Sequence, residues 1–182
     1  MATSSSYCSI FALYADCTHR CRDGSAYRMR PISHDDGEAL VRFHASLSDN
    51  TTRLRFFGSH PHLSRREIDR FINVDHHDRD ALVAVIDDEI IGVGRYERLD
   101  DRNDAEVAFV VTDQWQGRGV GSSIFRHIVQ CARAAGVHRL VAETLSENRR
   151  MLAVFAHSGL VIARLSSQGV VSVTMTLERR DE

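Results

Sequence analysis

Gln116-Gly117-Arg118-Gly119-Val120-Gly121 follows a strand-like run of residues and begins an amphipathic helical pattern. Glycines lack a Cβ atom, so successive backbone N–H groups in such a loop can turn inward and approach an anion closely. The N-terminus of the following helix adds about half a positive charge. The segment therefore predicts a cradle for a pyrophosphate, although taken alone it is equally compatible with a plain turn that starts a helix.

The chain contains no lysine, because all 23 basic residues among its 182 are arginines. This composition excludes a P-loop lysine under a phosphate and a Schiff-base lysine for carbonyl chemistry. A Rossmann dinucleotide-binding fingerprint is poorly supported as well, since Gly-x-Gly-x-x-Gly spacing does not occur. Any phosphate that the protein binds must be held by backbone N–H groups, arginines or hydroxyl groups.

Length, composition and charge are those of one globular domain, with 43% hydrophobic residues, 26% charged residues and a net charge of −2. An isoelectric point near 6.5 argues against general nucleic-acid binding. No apolar run approaches the roughly 18 residues that span a bilayer, and the first residues lack a signal-peptide pattern. We therefore expect a cytoplasmic protein that binds neither nucleic acid nor membrane.

The chain divides into an N-terminal extension, residues 1–26, and one domain, residues 27–182. The extension has no sustained period, which predicts a disordered or loosely packed segment. The domain carries strand and helix signals in the order βααβββαβαββ, which predicts an α/β fold with a mixed sheet and helices on both faces. The predicted strands are Tyr27–Ser33, Ala81–Ile86, Ile90–Leu99, Glu106–Thr112, His138–Leu145, Leu160–Ser166 and Val170–Leu177. The predicted helices start at Asp35, at Ser64 in a capping box with Glu67, at Gly119 and at Asn148, and Thr51–Gly58 is predicted as a short helix or a loop. Asp87-Asp88-Glu89 is predicted as a hairpin turn.

The motif Gln-x-x-Gly-x-Gly follows the strand Ala105–Val111 and comes before a further strand and a helix that begins at Asn148. This arrangement resembles the GNAT (Gcn5-related N-acetyltransferase) superfamily. The resemblance runs from about Tyr27 to Leu177. It implies a mixed, mostly antiparallel sheet of about seven strands flanked by about four helices on both faces. It also implies that acetyl-CoA is the co-substrate, with no metal.

A narrower resemblance involves Arg55-Phe56-Phe57 and the Glu-Val-Ala-Phe strand, which look like the bacterial protein-lysine acetyltransferases called Pat. This implies a lysine of another protein as the acceptor. In Pat enzymes the catalytic domain is usually fused to a regulatory module, which this chain does not carry, so a regulatory domain or partner outside the chain is a further expectation. Acceptor preference should lie in Asp49 to Val74 and in the last hairpin.

The superfamily resemblance implies a set of residues that contact acetyl-CoA. Backbone groups of the glycine loop would bind the pyrophosphate, and backbone groups of the preceding strand would bind the pantetheine arm where that strand splays from its neighbour. Asn148 is a good helix N-cap and would also touch the cofactor. The implied cofactor-binding residues are Phe109, Val110, Val111, Gln116, Gly117, Arg118, Gly119, Val120, Gly121, Ser122, Asn148 and Phe155.

Glu106 is the candidate catalytic residue. Strand alternation sends Glu106, Ala108 and Val110 to one face of the sheet. By the resemblance Glu106 is the general base that removes a proton from the acceptor ammonium, and the alternative is a solvated glutamate on a half-exposed strand. Many family members carry a Tyr as general acid where this chain has Phe155, so the thiolate would leave unaided.

Several weaker patterns have simpler explanations. Cys17-Thr-His19-Arg-Cys21 and the histidine pairs at 60/62 and 76/77 resemble fragments of metal sites, but none is completed by partners at ligand spacing. Four arginines lie close together in the sequence: Arg53, Arg55, Arg65 and Arg66. They form either a basic rim that binds an acidic substrate or a phosphate, or a helix face exposed to solvent. The exposed helix face is favoured. Cys131 is predicted to be a core residue.

The alternatives to a lysine acetyltransferase are an acetyltransferase for small amines and a non-catalytic acyl-CoA sensor.

Overall fold

The computed structural model describes residues 17–100 and 103–177, which form eight strands and five α-helices. The strands are β1 (Cys17–Arg20), β2 (Ala26–Pro31), β3 (Arg79–Ile86), β4 (Glu89–Arg98), β5 (Asp104–Val111), β6 (Arg139–Leu145), β7 (Val161–Ser167) and β8 (Val170–Thr176). The helices are α1 (Gly37–Ala45), α2 (Asp49–Phe56), α3 (Arg65–Ile72), α4 (Val120–Ala134) and α5 (Arg149–Ala156). Short 3₁₀ turns lie at His34–Asp36 and Asp113–Trp115.

The strands form one sheet in the order β1-β2-β3-β4-β5-β6-β8-β7. β5 and β6 run parallel, and every other neighbouring pair is antiparallel. The predicted mixed, mostly antiparallel sheet with flanking helices is confirmed. The described residues contain one strand and one helix more than predicted. The extra helix, α2, forms from the segment that is predicted as a short helix or a loop.

The extra strand, β1, lies inside the predicted N-terminal extension. Residues 17–20 pair with β2, His19 stacks on Tyr27 with ring centroids 5.4 Å apart, and Cys21 is buried. Residues 17–20 therefore belong to the sheet rather than to a loose segment, because pairing with β2 satisfies their backbone groups, and residues 21–25 form the turn that leads into β2. Residues 1–16 of the extension lie outside the described part of the chain. In the described ranges no three His, Cys, Asp or Glu side chains converge as metal ligands would.

Apolar layers cover both faces of the sheet. On one face α4 packs against the central strands, with Ile124 and Ile128 fully buried. On the other face α1 and α3 cover Ala81, Val83 and Val85 of β3. Because β3 is buried on both faces, its sequence reads as an apolar run without alternation.

Local sequence signals set several boundaries. Ser64 and Glu67 make the predicted capping box at the start of α3. The β3–β4 hairpin turns at Asp87 and Asp88, whose φ angles of 48° and 63° fit the predicted tight turn. Asn148 accepts a hydrogen bond from the Met151 amide at 3.1 Å and is the predicted N-cap of α5. Within the described residues no helix is long and apolar enough to cross a membrane.

Candidate active site

A gap opens between the two parallel strands at the middle of the sheet. Their ladder pairs residues 104–106 with residues 139–141 and ends at Glu106 and Val141. Beyond that point β5 stays paired with β4 as far as Val111, and β6 stays paired with β8 as far as Leu145. The two strands therefore diverge, and one edge of β5 faces the gap.

Hydrogen bonds at the two ends of β5 show which backbone groups face this gap. Leu99 donates to the carbonyl of Asp104 at 2.9 Å, and Thr112 donates to the carbonyl of Ile91 at 2.9 Å. Alternation along an antiparallel pair then directs the even-numbered residues of β5 to β4 and the odd-numbered ones to the gap. The backbone groups of Phe109 and Val111 therefore face the gap. The backbone groups of Val110 do not, because β4 takes them.

The glycine loop lies at the open end of the gap and leads into α4. Gly117 and Gly119 have φ angles of 76° and 97°, a region that residues with a side chain adopt only under strain. Gly119 is the N-cap of α4 and provides no side chain to cap its first amides. Val120 is a buried core residue that anchors the helix, whereas Ser122 is exposed. A Cβ atom on Gly121 would lie 3.6 Å from the ring of Phe109, so this glycine packs closely on β5.

Gln116 holds the loop in place with its side chain. Its amide nitrogen donates to the carbonyl of Val111 at 3.0 Å and to the hydroxyl of Thr51 at 3.1 Å. Its amide oxygen accepts from Arg150 at 2.7 Å. The Gln116 side chain thus joins β5, α2 and α5, which makes it a positioning residue whose polar atoms are already engaged.

Arg118 is also partly engaged. Its guanidinium contacts Asp23 at 2.7 Å and lies over the Trp115 ring, 4.7 Å from the ring centroid. This contact lowers the pKa of Asp23, after the larger effect of hydrogen bonds from Ser25. The loop is thereby tied to the β1–β2 turn, and an anion at the loop would compete with Asp23 for Arg118.

Phe155 lies in the core rather than in the gap. It is 1% exposed and packs edge-on against Phe109 and Phe125, with centroid distances of 5.9 and 5.3 Å. A side chain so completely enclosed has almost no surface left for a cofactor. The prediction placed Phe155 among the cofactor contacts, and the structure instead makes it support for Phe109.

Glu106 is exposed at the point where the parallel ladder ends. In the β4–β5 register it lies directly opposite Glu97, and Ala108 lies opposite Arg95. Like charges at opposite positions repel, and two arginines offset this repulsion. Arg95 and Arg70 each contact Glu97 at 2.6 Å.

A small cavity of about 40 Å³ lies on the same face of the sheet, beside Ala108 and Val110. Its other walls come from α1, α2 and β4. Sequence reasoning missed most of these wall residues, since only the β4–β5 register shows that Val93 and Arg95 share the face of Glu106. The helical wall includes Leu40, Phe43, His44, Arg55 and Phe56.

His44 is the buried histidine of this cavity wall. Its ring lies 5.4 Å from that of His60, which in turn contacts Glu67 at 3.1 Å. Burial lowers the pKa of His44, and the neighbouring His60 lowers it further, against the opposing effect of Glu67. The Nε2 atom of His44 has no hydrogen-bond partner among the described residues.

Contacts from α2 fix its position beside β5. The carboxylate of Asp113, just after β5, accepts from the backbone and hydroxyl of Ser48 at 3.0 and 2.7 Å. It also accepts from the hydroxyl of Thr51 at 2.8 Å. The start of α2 is therefore fastened to the end of β5, which brings its last turn over the cavity.

Comparison with known proteins identifies the family of this domain. The sequence model described as "Acetyltransferase (GNAT) domain" matches residues 27–161, well over half of the chain. The chain belongs to the GNAT acetyltransferase family. GNAT acetyltransferases use acetyl-CoA, and the resemblance predicted from the sequence is confirmed.

Individual GNAT relatives show which members of the family this chain is similar to. A curated acetyltransferase of Pseudomonas aeruginosa is 29% identical over 133 residues, covering 71% of this chain and 72% of its own length. The acetyltransferase Pat of Mycolicibacterium smegmatis is 30% identical over 151 residues, covering 79% of this chain but 44% of that protein. The crystal structure of the GNAT domain of S. lividans PAT has a TM-score of 0.83 and 38% identity, covering 88% of this chain and 96% of that one. The predicted likeness to Pat is thus also confirmed.

A more distant GNAT neighbour adds to the fold comparison alone. The structure of a putative acetyltransferase from Salmonella typhimurium with its cofactor acetyl-CoA has a TM-score of 0.67 at 17% identity. It covers 87% of this chain and 98% of that chain. Identity this low supports the shared fold and carries no residue-level argument.

Proposed function

We propose that this acetyltransferase moves an acetyl group from acetyl-CoA to the side-chain amine of a lysine in another protein, by direct transfer with Glu106 as general base. The observation that carries the proposal is the end of the β5–β6 ladder at Glu106. That position places one exposed carboxylate beside both the gap and the cavity.

Local geometry of the gap and loop fits acetyl-CoA. Backbone groups of Phe109 face the gap, where an extended pantetheine arm could pair with β5 as a peptide pairs with a sheet edge. No side chain caps the first amides of α4, and Gly117 and Gly119 have left-handed backbone conformations. Backbone N–H groups in this loop could therefore bind a pyrophosphate. In this proposal the loop from Gly117 to Ser122 holds the pyrophosphate, the Gln116 side chain positions that loop, and Asn148 contacts the cofactor. Bound acetyl-CoA supplies the acyl group as a thioester.

Glu106 would act on the acceptor rather than on the cofactor. A lysine ammonium has no lone pair, so a proton must leave before nitrogen can attack a carbonyl carbon. The exposed carboxylate of Glu106 would accept that proton directly or through one water. The backbone N–H groups on the gap edge of β5 would stabilise the oxygen that gains charge.

Departure of the thiolate would need no side-chain acid. Phe155 occupies the position where many relatives carry a Tyr, and it is enclosed in the core. A thiol pKa of about 8–9 makes the thiolate a fair leaving group at neutral pH. This differs from schemes in which a tyrosine returns the proton.

Two observations favour a lysine of another protein as the acceptor. Two of the relatives above carry the name Pat or PAT. The chain itself contains no lysine, so its own side chains cannot be the acceptors. Any acetyl-lysine found in an assay must therefore belong to another protein.

Incubation of the protein with labelled acetyl-CoA and a cell lysate tests the proposal, with the labelled products separated into proteins and small molecules. Label on lysines of proteins is expected, and it should require the active enzyme. Label confined to small amines such as polyamines, amino acids or aminoglycosides would contradict the protein acceptor. Heat-inactivated enzyme in the same lysate controls for chemical acetylation.

A further inference from the structure

The cavity beside Glu106 is lined by positive charge, and the described residues that line it include no carboxylate that would neutralise it. Two of the lining side chains are charged, and both are arginines, Arg55 from α2 and Arg95 from β4. The remaining lining residues are mostly apolar. Arginine is favoured where a carboxylate must be recognised, because its planar fork of N–H donors matches the two oxygens.

Arg55 is the less satisfied of the two arginines. Among the described residues it makes no hydrogen bond and no ion pair, and its guanidinium lies over the face of Phe56, 5.0 Å from the ring centroid. Burial, with the nearby Arg95, lowers the pKa of Arg55 to about 10, and Glu106 acts in the opposite direction. The group still carries its charge at neutral pH.

Arg95 has partners and forms the fixed side of the cavity. It contacts Glu97 at 2.6 Å and lies over the Phe71 ring, 4.8 Å from the ring centroid. Arg70 contacts the same glutamate. Arg55 therefore remains as the lining guanidinium without an acceptor among the described residues.

The charged groups around the cavity have a net positive charge. Arg55, Arg70 and Arg95 face two carboxylates, Glu97 and Glu106. An acceptor ammonium that approaches Glu106 adds one more positive charge. An acceptor that also brings a carboxylate offsets this excess and pairs with the free fork of Arg55.

We infer that Arg55, with Arg95 beside it, is a subsite for a carboxylate that the acceptor carries close to its reactive amine. The inference rests on the proposed function, and it narrows the substrate class to amines accompanied by an acidic group. In a protein acceptor that group is an Asp or Glu next to the target lysine. In a small acceptor it is the carboxylate of an amino acid.

Two matched pairs of acceptors test the inference on the full chain. The first pair is a capped peptide with Glu-Lys-Glu at its centre and the same peptide with Gln-Lys-Gln. The second pair is N-α-acetyl-lysine, with its free carboxylate, and N-α-acetyl-lysinamide. Initial rates of thiol release give kcat/KM for each compound with wild-type protein, Arg55→Gln and Arg55→Lys.

Wild-type protein should prefer the carboxylate member of a pair by roughly tenfold or more, the size of one charge-assisted hydrogen bond. Arg55→Gln should reduce that ratio to near unity while changing turnover of the neutral member by less than about threefold. Arg55→Lys, which keeps the charge without the fork, should retain part of the preference. Arg53→Gln is the matched control, since Arg53 lies on the same helix and is already paired with Glu147 at 2.6 Å.

Thermal unfolding of Arg55→Gln checks that the variant folds, and its stability should equal or exceed that of wild type because a half-buried unpaired cation is removed. Equal turnover of both members by wild-type protein, or a preference that survives Arg55→Gln, would overturn the inference and leave the proposed function intact. Preference within the N-α-acetyl-lysine pair with no turnover of either peptide supports the inference and contradicts the protein acceptor. No turnover of either pair contradicts both.

Discussion

Glu106 and Val141 form the last matched pair between the parallel strands β5 and β6. The same pair marks where the gap begins, so the candidate base lies at the start of the predicted cofactor site. A carboxylate at the vertex of two diverging strands can reach an amine that approaches a group lying between them.

The backbone conformation of the glycine loop is the first feature to test. Gly119→Val places a β-branched side chain at a φ of 97°, where strain costs about 1–3 kcal/mol. We expect acetyl-CoA affinity, measured by calorimetry, to fall by roughly tenfold or more because the first amides of α4 shift.

Gly136→Val is the matched control for that variant. Gly136 follows the other end of α4, has a φ of 78° and likewise has open space around its missing Cβ. Its substitution should cost a similar amount of stability and leave acetyl-CoA affinity unchanged. Equal affinity in Gly119→Val and wild type would remove the loop from the cofactor site.

The close approach of α4 to the sheet is the second feature to test. A Cβ atom on Gly94 would collide with Cγ2 of Ile124, and one on Gly92 would lie 2.8 Å from its Cδ1. Ile124 is fully buried and cannot move aside. Gly94→Ala should lower the free energy of unfolding by about 1–3 kcal/mol in a denaturant titration.

Gly37→Ala is the comparison for that titration. A Cβ on Gly37, at the start of α1, meets Ile68 and Ile72 at an ordinary 3.6 Å. This variant should be neutral or slightly more stable, since Ala favours a helix over Gly. If Gly94→Ala were as well tolerated, the packing of α4 on β4 would be looser than the structure indicates.

Burial of His44 predicts a dependence of stability on pH. Its pKa in the folded protein lies below the usual histidine value because of burial and because of His60. The unfolded chain therefore binds this proton at a higher pH, so stability should fall as pH drops from about 6.5 towards the lowered folded value. Denaturant titrations at several pH values should show the loss.

Replacing His44 by Gln should flatten that pH dependence without removing it, because burial also lowers the pKa of His19. His34→Gln serves as the control, since His34 is exposed. An unchanged slope in His44→Gln would show that His44 does not lose a proton on folding. A flattened slope in His34→Gln would show that the effect is not specific to the buried ring.

Local signals in the sequence were sufficient for much of the fold. The Ser64–Glu67 capping box, the Asp87–Asp88 turn and the glycines before α4 each depend on a few neighbouring residues, and each forms as predicted. The four-residue β1 was missed because its alternation is too short to recognise. It forms through pairing with β2.

The cavity could not be predicted in the same way. Its walls meet because Ser48 and Thr51 bond to Asp113, contacts that join residues more than sixty positions apart. Phe155 was misplaced because the resemblance gave its position in sequence but not its enclosure by Phe109 and Phe125. Backbone direction at Val110 likewise required the observed register of β4 and β5.

The pH dependence of kcat/KM in Glu106→Gln, compared with wild type on a lysine peptide, tests the central claim most directly. Acetyl-CoA affinity should stay within about twofold, while kcat/KM falls by roughly 10²–10⁴ and recovers only at high pH, where the amine loses its proton unaided. Glu89→Gln, at an exposed glutamate of the β3–β4 hairpin, should retain wild-type turnover. Wild-type turnover by Glu106→Gln at every pH would contradict the account.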